Sequence, residues 1–135
     1  MSYVLDTSVT MAWLFEDEAN PRTERLLDAL REEQAWVPSL WYYEVGNVLA
    51  VAERRGRIKE AQARHFTELL RSLPIYVDET ESAEVWDGAL TLARTQLLSV
   101  YDAAYLDLAM KSGLPLATLD NALKNSADKL GVELA

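Results

Sequence analysis

The chain has 135 residues, 50% of them hydrophobic and none of them cysteine, with a formal net charge of −9 and a pI near 4.5. That length suits one domain, 1–135, with its own core, and the lack of cysteine excludes a disulfide framework, a thiolate nucleophile and a cysteine zinc site. The acidity argues against passive phosphate binding, so a nucleic-acid partner needs either a local basic strip or divalent cations held by clustered carboxylates.

No apolar run approaches the ~20 residues of a membrane span, and the N-terminus lacks the basic, apolar, small-residue order of a secretory signal. A soluble, cytoplasmic protein is expected. Residues 3–8 (YVLDTS) predict a short buried strand that ends in Asp6 and the hydroxyls of Thr7 and Ser8. In open parallel sheets, functional side chains sit just beyond strand carboxyl ends, which makes Asp6 a candidate active-site centre. The competing reading is that Thr7 or Ser8 caps the next helix and Asp6 only completes the turn. Residues 9–15 (VTMAWLF) predict a buried helix ending in the charged turn 16–19, and Trp13 belongs to the core. Asn20 followed by Pro21 marks a helix start, with Leu26, Leu27 and Leu30 as its apolar stripe. Ala35, Trp36 and Val37 predict a second strand closed by Pro38.

Ser39 opens a helix in which Glu44 is out of place. Its neighbours at three and four residues are Leu40, Trp41, Asn47 and Val48, with Val51 one turn on, so all but Asn47 are apolar. A partly buried carboxylate in such a setting needs a cation or hydrogen-bond donors, unless it is a structural ion pair. Trp41, Tyr42 and Tyr43 can line a partner groove or fill the core. Gly56 breaks the helix inside the one dense basic run, Arg54, Arg55, Arg57, Lys59 and Arg64, which is either a solvated helix end offsetting the dipole or a contact for RNA phosphates or an acidic partner. His65, the sole histidine, has no ligand set around it and is assigned to surface or packing.

Pro74 precedes a third strand at 75–77, and a further helix is predicted over 82–97. Ser99 and Asp102 nearly form a capping box at the start of an apolar helix closed by Gly113 and Pro115, so Asp102 is either a cap or a site acid. A strand over 114–118 delivers Asp120, which also fits a helix N-cap, and 130–134 (LGVEL) suggests a final edge strand.

Alternating strands and helices predict an α/β three-layer sandwich with a short, mostly parallel central sheet flanked by helices. Asp6 and Asp120 then lie at strand carboxyl ends, and Asp102 and Glu44 can face the same edge. Four carboxylates brought together without cations raise one another's pKa, so a stable cluster implies bound metal. Hard oxygen ligands favour Mg²⁺ or Mn²⁺. Such an ion suits phosphodiester hydrolysis without a histidine base, and it lets an acidic protein hold a polyanion.

With VLDTSV at the start, the Glu44 helix, SVYDAAYLDLA around Asp102 and PLATLDNAL around Asp120, essentially the whole chain resembles the PIN-domain family, most closely its VapC-like toxin branch. The resemblance implies a metal-dependent endoribonuclease with Asp6, Glu44, Asp102 and Asp120 as metal-binding acids, supported by hydrogen bonds from Ser8 and Thr118. It further implies an RNA substrate, a homodimer and a cognate antitoxin whose C-terminal segment fills an apolar groove and pushes a basic side chain into the acids. Many relatives carry another acid two residues after the last aspartate, where this chain has Ala122; a tight second metal site is therefore in doubt. That departure motivates the alternative of a weak or inactive RNA- or protein-binding module. A phosphotransfer reading fares worse, because Ser8 stands where a second nucleophile-site Asp would be needed and no lysine is suitably placed for a receiver built on Asp78.

Overall fold

In the computed structural model, which describes residues 1–80 and 82–135, four short strands form one sheet in the order β3-β2-β1-β4. They are β1 (Tyr3–Leu5), β2 (Ala35–Pro38), β3 (Ile75–Asp78) and β4 (Leu116–Ala117), and every pairing among them is parallel. The helices are α1 (Thr7–Ala12), α2 (Pro21–Ala29), α3 (Leu40–Arg54), α4 (Glu60–Ser72), α5 (Glu84–Asp87), α6 (Ala89–Gln96), α7 (Val100–Ser112) and α8 (Asn121–Lys129), and they flank the sheet. This is the α/β sandwich that the alternating pattern predicts. Tyr3, Val4 and Leu5 are all buried, as expected of an inner strand covered on both faces, whereas the edge strand β3 leaves Tyr76 exposed.

The connections decide where a site can form. From β1 the chain steps to β2 and then β3, but from β4 it leads through α8 to a bridge between Leu116 and Leu134 on the opposite side. Adjacent strands β1 and β4 therefore send their connections in opposite directions, and right-handed crossovers place the following helices on opposite faces. The crevice beyond the carboxyl ends of these two strands is the switch point of the sheet.

Local chemistry explains most boundaries. The Asn20 side chain accepts from the Thr23 N–H at 3.0 Å while the Asn20 N–H donates to Thr23 Oγ1 at 3.0 Å, a closed capping box behind Pro21. Left-handed Gly56 and Gly113 follow the ends of α3 and α7. Trp41 is buried and donates its indole N–H to Thr10 Oγ1 at 3.0 Å, and Trp13, half-buried against the core, donates to the Thr23 carbonyl at 2.8 Å. Tyr42 and Tyr43 are exposed. Among the described residues no helix is long and apolar enough to cross a membrane.

Four expectations need correction. The first helix starts at Thr7 rather than residue 9, because Asp6 already has the extended backbone of an N-cap. The helix expected over 82–97 is two helices that meet at Gly88, where the Asp107 carboxylate of α7 lies against the glycine and would be 2.8 Å from a Cβ there. The strand expected over 114–118 is only Leu116–Ala117, and the edge strand over 130–134 shrinks to the single bridge of Leu134. Left-handed Gly131 turns the chain after α8, so only Glu133 and Ala135 reach the backbone of Leu116. In the basic run, Arg57 is engaged: its guanidinium sits 3.6 Å from the Phe15 ring centroid and pairs with Asp17 at 2.8 Å. Arg54 and Arg55 remain exposed, as does His65.

Candidate functional site

Asp6 stands at the carboxyl end of β1 and is 6% exposed. Its Oδ2 accepts the Ser8 hydroxyl at 2.6 Å and the Thr118 hydroxyl at 2.7 Å. Ser8 Oγ in turn accepts the Leu119 N–H at 2.9 Å, and Thr118 Oγ1 accepts the Asp120 N–H at 3.0 Å. The two hydroxyls thus join the start of α1 to the chain leaving β4, and they fix one oxygen of Asp6 across the switch point. Asp120 follows immediately and is the N-cap of α8, with Oδ1 accepting the Leu123 N–H at 2.9 Å.

The other two acids come from helices. Asp102 is in the first turn of α7, where its N–H donates to the N-cap hydroxyl of Ser99 at 3.0 Å. The return bond that would complete a capping box is absent from the cap geometry, and the Ser99 hydroxyl also favours the ionised form of the Asp102 carboxyl. Glu44 lies one turn into α3, half-buried beside the stripe of Trp41, Val45, Leu49 and Ala52. Its Oε1 accepts the Tyr105 hydroxyl at 2.5 Å and the Thr7 hydroxyl at 3.2 Å.

The acids share one electrostatic field. Burial pushes the Asp6 carboxyl above its ordinary range, partly opposed by hydrogen bonds from Ser8, Thr118 and the backbone of Thr7 and Ser8. Burial also raises Glu44, opposed by Tyr105 and Thr7 and reinforced by the charges of Asp6 and Asp102. Asp102 is raised by burial first, then by the charges of Asp120 and Asp6. Among the described residues, none of the four forms an ion pair with Lys or Arg. The basic groups near other acids, such as Lys111 beside Asp78 at 3.0 Å, belong elsewhere.

Two observations bear on whether a divalent cation fits. The donor set consists of carboxylates and hydroxyls only, which matches a hard ion such as Mg²⁺ or Mn²⁺, and among the described residues no Lys or Arg pairs with it. Yet among the described residues no three His, Cys, Asp or Glu side chains are close enough to hold one ion as they stand. Coulombic coupling reaches further than a ligand bond, so both findings hold: the array is open, with its chemistry suited to a hard cation and its carboxylates not closed on a common point.

Sequence reasoning did not single out Thr7 and Tyr105 as site residues. In the sequence Thr7 reads as a helix cap, and Tyr105 is masked by its apolar helix. The available signal was spacing, since Tyr105 lies three residues after Asp102 and so falls on nearly the same helix face.

A family profile described as PIN domain matches residues 3–129. The chain is 35% identical over 123 residues to a protein named Ribonuclease VapC3 from Pyrobaculum aerophilum, covering 91% of this chain and 92% of that one. It is 36% identical over 92 residues to Exonuclease VapC9 of the same organism, covering 67% of this chain and 65% of that protein. In fold it is similar to the crystal structure of VapBC2 from Rickettsia felis bound to a DNA fragment from their promoter, with a TM-score of 0.70 at 13% identity over 100% of this chain and 98% of that one.

Proposed function

The chain belongs to the PIN domain family, and from that membership we propose that it is a metal-dependent endoribonuclease acting as the toxin of a toxin–antitoxin pair. What supports this reading is the electrostatic coupling among Asp6, Glu44, Asp102 and Asp120, with no Lys or Arg paired to them among the described residues. The near full-length similarity to a protein named as a ribonuclease supplies the substrate class.

In this reading the four acids hold Mg²⁺ or Mn²⁺. When bound, the ion supplies a lowered pKa for water and neutralises charge on the phosphate oxygens. The rest is work for the chain's own side chains. Ser8 and Thr118 hold Asp6 in one rotamer and offset part of its desolvation. The helix-cap bond fixes Asp120, and the Ser99 cap fixes the first turn of α7 from which Asp102 projects. Burial keeps bulk water away from Asp6, so the charge it presents is poorly screened.

The partners that go with this reading are RNA, a cognate antitoxin and a second copy of the chain. Antitoxin binding is supported by the fold shared with the VapBC2 structure from Rickettsia felis. A second reading, a weak or inactive RNA- or protein-binding module, is favoured by Ala122 and by the open spacing of the acids.

The test is incubation of the purified chain with defined single-stranded and structured RNAs in Mg²⁺, in Mn²⁺ and with chelator. Cuts within the RNA that need the metal are expected. End trimming would replace endonuclease by exonuclease, the activity named for one relative. Binding of RNA with no turnover in any condition would favour the second reading.

A further inference from the structure

Tyr105 is fully buried, and Thr7 is nearly so. Their hydroxyl oxygens are 2.9 Å apart, and both approach the same oxygen of Glu44, at 2.5 Å from Tyr105 and 3.2 Å from Thr7. These groups come from three elements, since Thr7 opens α1, Glu44 lies on α3 and Tyr105 lies on α7. A phenol in a fully apolar setting would carry an unmatched polar group, so its placement against a carboxylate has a definite consequence for both partners.

That consequence is asymmetric at the carboxylate. Among the described residues no hydrogen bond reaches Glu44 Oε2, while no buried side-chain oxygen or nitrogen is left without a partner. Oε2 is therefore the solvent-accessible oxygen of Glu44, a carboxylate that also feels the charges of Asp6 and Asp102. The phenol keeps its proton, because burial and the adjacent Glu44 both raise its pKa, and so it is a permanent donor. With the Tyr105 O–H donating to Glu44, the single Thr7 proton is shared between the phenol oxygen and Glu44 Oε1, and these hydrogen bonds polarise one another in such an interior.

We propose that Thr7 and Tyr105 are positioning residues that fix Glu44 Oε1 and thereby leave Oε2 as the oxygen free to take a divalent cation. The inference rests on the metal-dependent reading above. It parallels the way Ser8 and Thr118 fix one oxygen of Asp6, and it gives each of the two most buried acids its own hydroxyl pair. Groups that orient a metal ligand from one step away are typically worth about 10–100-fold in metal affinity.

The experiment is Mn²⁺ binding to the full chain, read by the free-ion EPR signal and by calorimetry, for wild type, Asp6→Asn, Tyr105→Phe, Thr7→Val and Thr7→Ser. Tyr105→Phe keeps the ring and removes only the hydroxyl; circular dichroism and urea unfolding establish that each variant is folded. Wild type is expected to bind, Asp6→Asn to lose binding, Tyr105→Phe and Thr7→Val to bind about 10-fold more weakly or worse, and Thr7→Ser to stay within about twofold of wild type. If wild type binds and Asp6→Asn does not, but Tyr105→Phe or Thr7→Val matches wild type, the positioning role is overturned and the metal site stands. If Thr7→Ser falls as far as Thr7→Val, the hydroxyl is not the cause, and the role of Thr7 is overturned. If wild type binds no Mn²⁺, the metal-dependent reading fails and this inference falls with it.

Discussion

A carboxylate removed from water needs more than a few hydroxyl donors to hold its charge, and Asp6 shows the balance. Two hydroxyls and two backbone groups favour its ionised form, yet burial still leaves its pKa raised. Glu44 and Asp102 are raised as well, so the folded chain holds protons on these three groups more tightly than the unfolded chain does. The resulting stability is fully present below the ordinary carboxylate pKa values and is lost as pH rises through the raised folded ones. Asp78 runs the other way: burial raises it, but Thr80 and Lys111 outweigh that and leave it lowered. With Asp107, which burial also raises, four groups against one, in a chain of net charge −9, set the direction. The metal-free protein should therefore melt at a lower temperature at about pH 7.5 than at about pH 5, with Mg²⁺ or Mn²⁺ raising the melting temperature more at the higher pH. A melting temperature that rises over this range in chelator would contradict the assignment of these desolvated acids.

Among the elements, those written in local chemistry were legible from the chain alone. Asn20 before Pro21, Ser99 before α7 and Gly113 after it each mark an end by bonds within a few residues. The break at Gly88 was not, because its cause is Asp107, nineteen positions further along the chain and on another helix. The same holds for residues 130–134, whose pattern suits a strand but whose pairing is limited by the turn at Gly131. The Gly88 site permits a sharp test, since glycine to alanine within helical structure is ordinarily stabilising by up to about 1 kcal/mol. Here a Cβ would meet the Asp107 carboxylate at 2.8 Å, and because that side chain must swing aside, Gly88→Ala should lose this gain or turn slightly destabilising in urea unfolding. In an Asp107→Ala background the same substitution should be neutral or stabilising. An equal cost in both backgrounds would mean that the glycine is required for its backbone and not for the close approach.

For the molecule as a whole, topology brings scattered acids toward one edge of the sheet. The order β3-β2-β1-β4 brings the ends of the first and last strands together, so Asp6 and Asp120 become neighbours despite lying at opposite ends of the sequence. That much could be anticipated from alternating elements and from acids at strand ends. The hydroxyl partners of Glu44 could not, because they depend on how α1, α3 and α7 pack, and no local pattern reports a distance between helices. Cations held between an acidic chain and a polyanionic substrate would make the two compatible, which makes the acid-lined edge the centre of the functional account. The most direct test compares wild type with Asp6→Asn in the RNA cleavage assay with Mg²⁺ or Mn²⁺, at matched concentrations of folded protein. The account predicts a loss of more than about 100-fold in cleavage, beyond the ~10–100-fold typical of groups one step removed from a metal, with an unchanged circular dichroism spectrum. Cleavage by Asp6→Asn within about tenfold of wild type would contradict it.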